Sequence, residues 1–151
     1  MLLLHIMGIT TKNQSLSLAY FFIAGKHDEH YRWVMTQLRD VAEPLNQADH
    51  MVFVTDRELA LMNAIGHIFP GLYNLLCFWN INKNVLKNLK KHFAKNESWE
   101  GFMGTCYGLC NTVTHLPFDE LWKTIQTALP LAVTSYLEET WLLHKEKFVK
   151  V

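Results

Sequence analysis

The chain opens on alternating runs of apolar and polar residues. Leu2 to Thr10 is short, apolar and partly β-branched, Lys12-Asn13-Gln14 is polar, and Ser15 to Ala24 is a second apolar run with aromatics. Two such runs joined by a short polar turn predict a β-hairpin, which Gly25 closes. From His27 the spacing changes. Tyr31, Val34, Met35, Leu38, Val41 and Ala42 recur at i, i+3, i+4, i+7, which predicts a helix that Pro44 ends. Met51-Val52-Phe53-Val54 is continuous and apolar, the pattern of a strand buried on both faces, and it stops at Thr55-Asp56. Leu59, Met62, Ala64, Ile65 and Ile68 then predict a second helix, broken at Phe69-Pro70-Gly71. Leu72 to Phe78 reads as a further strand. Asn80 onward reads as a helix with Val85, Leu86, Leu89 and Phe93 on one side and lysines around the rest.

The remainder is helical in character. Trp99 to Cys110 has suitable apolar positions but contains three glycines, Gly101, Gly104 and Gly108. Pro117 suits the first turn of a helix running through Leu121, Trp122, Ile125 and Leu129. Pro130 starts a last helix carrying Ala132, Val133, Tyr136, Leu137 and Trp141. The order is β-β-α-β-α-β-α followed by a helical tail. Alternating strands and helices predict an α/β fold with a mostly parallel sheet flanked by helices, made mixed by the opening hairpin.

Composition narrows the class. The 151 residues are 50% apolar and 13% aromatic, enough for a core and too apolar for intrinsic disorder. Fourteen basic and 14 acidic residues give a formal net charge of zero, so bulk charge does not drive nucleic-acid binding and any contact must be a local patch. Three cysteines, Cys77, Cys106 and Cys110, are an odd number and do not read as a disulfide framework, which favours a reducing, intracellular setting. The apolar start lacks a basic segment and a small-residue cleavage site, so it is a poor signal peptide. The apolar run Leu16–Ala24 is about half the ~20 residues of a membrane span, and no membrane association is expected.

Asp56 is the most informative candidate. It lies at the carboxyl end of a strand and just before a helix, where open α/β sheets gather ligands and catalytic groups. A carboxylate there could hold a divalent cation. Equally, Thr55 or Asp56 could cap the following helix. Lys83, Lys87, Lys90, Lys91 and Lys95, with His92, fall in one helical stretch. They suit either contact with a phosphate backbone or a solvated face, the commoner fate of lysine-rich helices. Cys106 and Cys110 sit one helical turn apart with His115 nearby, and buried free thiols account for them better than zinc does. His27-Asp28-Glu29-His30 lacks metalloprotease spacing and reads as the acidic first turn of a helix. No phosphate loop, nucleophile elbow or dinucleotide fingerprint is present.

Three blocks carry a family resemblance: Leu3-Leu-His-Ile-Met-Gly-Ile-Thr10, Val54-Thr-Asp-Arg-Glu-Leu-Ala-Leu-Met-Asn-Ala64, and Leu75-Leu-Cys-Phe-Trp-Asn-Ile-Asn-Lys-Asn-Val85. They closely resemble the transposase domain of Mutator-like elements (MULE), above all its fungal and far-red-impaired-response-like branch. Trp99, Phe118 and Trp141 also look similar. The resemblance implies an incomplete ribonuclease H-like mixed sheet with flanking helices over residues 1–96, lacking its first strand, and an all-helical extension over 97–151. It implies descent from DDE transposition, in which three carboxylates hold two Mg²⁺ or Mn²⁺ ions for DNA cleavage and strand transfer. Asp56 matches the second acidic residue and would be a metal ligand. Glu120 is the first choice for the third, with Asp119, Glu100, Glu138 and Glu139 as others.

The first acidic residue belongs to a strand preceding the Leu3–Thr10 block, so this chain is expected to lack it and to be inactive as it stands. Cys77-Phe-Trp-Asn80 stands where the family has Cys-x-x-His, with Asn80 in place of the histidine. Pro117 stands where related sequences often carry an acid. Further implications are transposon-end DNA as partner, with Lys83, Lys87, Lys90 and Lys91 as contacts, and nuclear localisation. A homo-oligomer is expected because an absent central strand would leave apolar edges unpaired. The alternatives are a domesticated, non-enzymatic DNA- or protein-binding module, related to transposase-derived transcription regulators, and an enzyme whose missing strand comes from elsewhere.

Overall fold

The computed structural model describes residues 1–45, 50–112 and 114–149. Its elements follow the order read from the sequence: β1 (Leu2–Ile9), β2 (Ser15–Ile23), α1 (Asp28–Ala42), β3 (Val52–Thr55), α2 (Leu59–Ile68), β4 (Tyr73–Leu76), α3 (Phe78–Leu89), α4 (Asn96–Cys110), α5 (His115–Ala128) and α6 (Leu131–Thr140). Short 3₁₀ segments follow α1, α3 and α6. The described residues make a mixed α/β chain divided into two compact units. One comprises Met1–Phe53 with Arg57–Asn74, and the other Val54–Asp56 with Leu75–Val151.

In the first unit β1 and β2 pair antiparallel, Leu3 opposite Phe22 and His5 opposite Tyr20. The turn between them is held by the Asn13 N–H donating to the Thr10 carbonyl at 2.9 Å, with Asn13 at φ 60°. Asparagine tolerates that left-handed conformation better than most side chains. The register slips between Ile6 and Met7, a β-bulge that bends the hairpin. Ile23 from β2, Tyr31, Val34 and Met35 from α1, and Leu61, Ala64 and Ile65 from α2 form the core, with Phe69 beyond α2. Leu4, Ile6 and Phe21 pack against it from the hairpin. Helical spacing predicts Tyr31, Val34, Met35, Ala64 and Ile65 on the apolar faces; in α2 it also names Leu59, which is exposed, whereas Leu61 is buried. Gly71, at φ 90°, supplies the turn into β4 that Pro70 begins.

In the second unit, α3 buries Ile81, Val85 and Leu89. α4 buries Trp99, Phe102 and Leu109, α5 Phe118 and Ile125, and α6 Val133 and Leu137. Phe93 sits against Trp99 and Phe102, with ring centroids 5.3 and 4.9 Å away. Asn88 donates to the Tyr136 hydroxyl at 3.1 Å, and the Trp141 indole donates to the same oxygen at 3.3 Å. These bonds tie α3 to α6 through one phenol.

Three expectations are corrected. The strands do not join into a single mostly parallel sheet: β1 pairs with β2 and β3 with β4, in two separate two-stranded sheets. No strand among the described residues bridges them, so alternation of strands and helices is not enough to build one sheet. β3 is not buried on both faces, because Val52 and Val54 are 56% and 61% exposed. Val52 and Val54 share one face of the strand, and among the described residues β3 pairs with β4 alone, so this face stays in solvent. The last strand is shorter than Leu72 to Phe78, because Phe78 already opens α3. The helical character expected of Trp99 to Cys110 holds, since Asn96–Cys110 is one helix despite its glycines: Gly101 and Gly104 fall on exposed positions, where a missing side chain removes no packing.

Candidate functional site

β3 ends at Thr55, whose carbonyl accepts a 2.7 Å hydrogen bond from the Cys77 N–H. That bond brings the end of β3 to the start of α3, since Cys77 is the N-cap residue of that helix. Asp56 follows directly and its side chain is exposed. It does not cap α2. The N-cap residue is Glu58, whose carbonyl accepts from the Met62 N–H at 2.9 Å and whose carboxylate pairs with Lys26 at 3.0 Å. The capping role weighed for Thr55 or Asp56 therefore falls to neither, and Asp56 stands in the strand-to-helix loop.

The candidate third acids are scattered over the helices. Glu120 and Asp119 are exposed on α5, where the Glu120 carbonyl accepts from the Thr124 hydroxyl at 3.0 Å. The Glu100 carboxylate accepts from Asn96 at 2.6 Å, and that of Glu138 from Gln126 at 2.9 Å. Glu139 is exposed on α6. Among the described residues no three His, Cys, Asp or Glu side chains converge as a ligand set. A two-metal centre needs several oxygen donors around closely spaced ions. The residues present do not fit such a centre, and no catalytic step through metal follows from them.

Asn80 lies on the first turn of α3 and is half-buried. Its carbonyl accepts from the Asn84 amide at 2.8 Å, and the Asn84 carbonyl accepts in turn from Asn88 at 2.8 Å. Cys77 is a free thiol, half-buried. Lys83, Lys87, Lys90 and Lys91 are all exposed, and Lys83 Nζ lies 4.9 Å from the centroid of the Trp79 ring. Among the described residues no carboxylate pairs with any of these four lysines. The position missed from sequence is Trp79. Its signal was an aromatic on the polar side of an amphipathic helix.

Cys106 and Cys110 line an apolar cavity with Phe78, Val85, Trp122 and Trp141. Burial pushes the Cys106 thiol up from 9.0 to about 12, with Cys110 adding to the rise, and burial lifts Cys110 to about 11. Both are free thiols kept protonated, as expected of cysteines used for packing. His27 precedes α1 as its N-cap residue, with Asp28 and Glu29 in the first turn, so this segment is the acidic helix start that its sequence suggests.

Fold and site define a mixed α/β protein with an acidic residue at a strand's carboxyl end and a basic helix beginning beside it. The chain belongs to the MULE transposase domain family: the family's model matches residues 1–84, more than half of its length. Protein FAR1-RELATED SEQUENCE 5 of Arabidopsis thaliana is 24% identical over 118 residues, 78% of this chain and 14% of that protein, and supports the FAR1-like branch. A segment of the PKS-NRPS hybrid synthetase cheA of Chaetomium globosum is 27% identical over 85 residues, 56% of this chain and 2% of the synthetase. The chain thus spans a small part of both relatives. No solved structure matches it. No helix among the described residues is long and apolar enough to cross a membrane.

Proposed function

We propose that this chain is a nuclear, DNA-engaging MULE transposase segment of ribonuclease H-like, DDE ancestry that does not cleave DNA by itself. The observation that carries the reading is the family match over residues 1–84, which spans Asp56, Cys77 and the start of the lysine-rich helix. Asp56 then takes the part of the second acidic residue and Glu120 that of the third. Mg²⁺ or Mn²⁺ is the ion that a complete site of this ancestry would hold, and the described residues of this chain do not assemble that site. The scatter of the acidic side chains supports the inactive form of this reading. Lys83, Lys87, Lys90 and Lys91 supply cationic contacts for a phosphate backbone, and transposon ends are the substrate class the family suggests.

The test is a nicking and strand-transfer assay on element ends with Mg²⁺ or Mn²⁺. The expected outcome is the same background for the chain and its Asp56→Ala variant. Cleavage by the chain that Asp56→Ala abolishes would sink the inactive reading.

A further inference from the structure

Between Phe78 and Lys95 the sequence has five lysines and no Asp or Glu, in a chain whose net charge is zero. The fold sorts these residues by side. Ile81, Val85 and Leu89 are buried, and Trp79, Lys83, Lys87 and Lys90 lie on the other side at i, i+4, i+8 and i+11. At 3.6 residues per turn these four share one face, a stripe about 16 Å long at ~1.5 Å per residue.

Trp79 heads the stripe. It is 66% exposed, whereas Trp99 and Trp141 are buried. Lys83 lies over its ring, a cation–π contact that leaves the rest of the indole in water. A large exposed aromatic at the head of a lysine row is poorly explained as a solvated surface, because solvated lysines need no ring beside them. It matches the pairing used for unpaired nucleotides, in which cations follow the backbone and an aromatic ring stacks on a base.

We propose that the outer face of α3 and of the 3₁₀ turn that follows it binds single-stranded DNA, with Trp79 stacking on an unpaired base and Lys83, Lys87 and Lys90 on successive phosphates. This rests on the DNA-engaging reading above and adds the form of DNA. Charge complementarity selects a polyanion, and the indole selects a strand whose bases are free. In a duplex the base faces are already stacked, so the lysines alone would act and Trp79 would add little.

The experiment is fluorescence anisotropy of the full chain with a labelled oligo-dT and a blunt duplex of equal length. It is run in EDTA, so that metal-dependent cleavage plays no part. The expected result is tighter binding to the single strand, weakened about tenfold by Trp79→Ala and less by Trp79→Phe, with duplex binding nearly unchanged. Lys83→Gln with Lys87→Gln should weaken binding to both DNAs and lower the single-strand salt slope by about 1.4. Equal affinity for the two DNAs, or equal loss on both in Trp79→Ala, overturns this inference and leaves the DNA-engaging reading standing. Binding to neither overturns both. Circular dichroism of each variant checks that α3 persists, which is expected because the substituted side chains are exposed.

Discussion

Cys106 and Cys110 follow one another by a single turn on α4 and share an apolar cavity. Their thiols are raised by burial to about 12 and about 11, so the folded state holds both neutral while an unfolded chain ionises them near 9. The sign follows by linkage: this contribution to stability is complete below pH ~9 and is lost as pH climbs towards the folded values. The melting temperature of the chain should therefore fall between pH 9 and 11 more steeply than that of a Cys106→Ala, Cys110→Ala variant. Parallel pH profiles would contradict this. The sequence shows these residues as packing thiols because they sit one turn apart among apolar neighbours. For Asp56 the local sequence leaves a cation ligand and a helix cap both open. A cap is chosen by where the helix begins, and here that choice falls two residues later, at Glu58.

The helices were readable because their signal is local. Val34, Met35, Ile65 and Val85 fall on the apolar faces that spacing predicts, and all are buried. The strands were readable as segments but not as a sheet, since a run such as Val52–Val54 does not say how many neighbours will pair with it. The hairpin carries the clearest consequence. Among the described residues β1 is paired along one edge, and Leu3, Met7 and Phe22 are exposed although apolar. Unpaired edges beside apolar surface favour association. Light scattering should show self-association that grows with concentration, reduced in a Leu3→Lys, Phe22→Lys variant. A monomer at all concentrations would contradict this.

At the scale of the molecule, zero net charge conceals segregation: the basic residues of α3 and its 3₁₀ extension stand without an acid among them, while acidic side chains are dispersed over α1, α4, α5, α6 and the connecting segments. The family blocks made the ancestry legible, because a string such as Val54–Ala64 is specific in itself. The completeness of the site was less legible. Three acids can be picked from almost any helical tail, and only the fold says whether they converge. On the reading proposed above, the described residues of this MULE-family chain assemble no two-metal carboxylate centre. Mn²⁺ binding followed by electron paramagnetic resonance tests it most directly. Only weak binding is expected, identical in the chain and in Asp56→Ala. Two tightly held Mn²⁺ ions per chain, lost in Asp56→Ala, would contradict it.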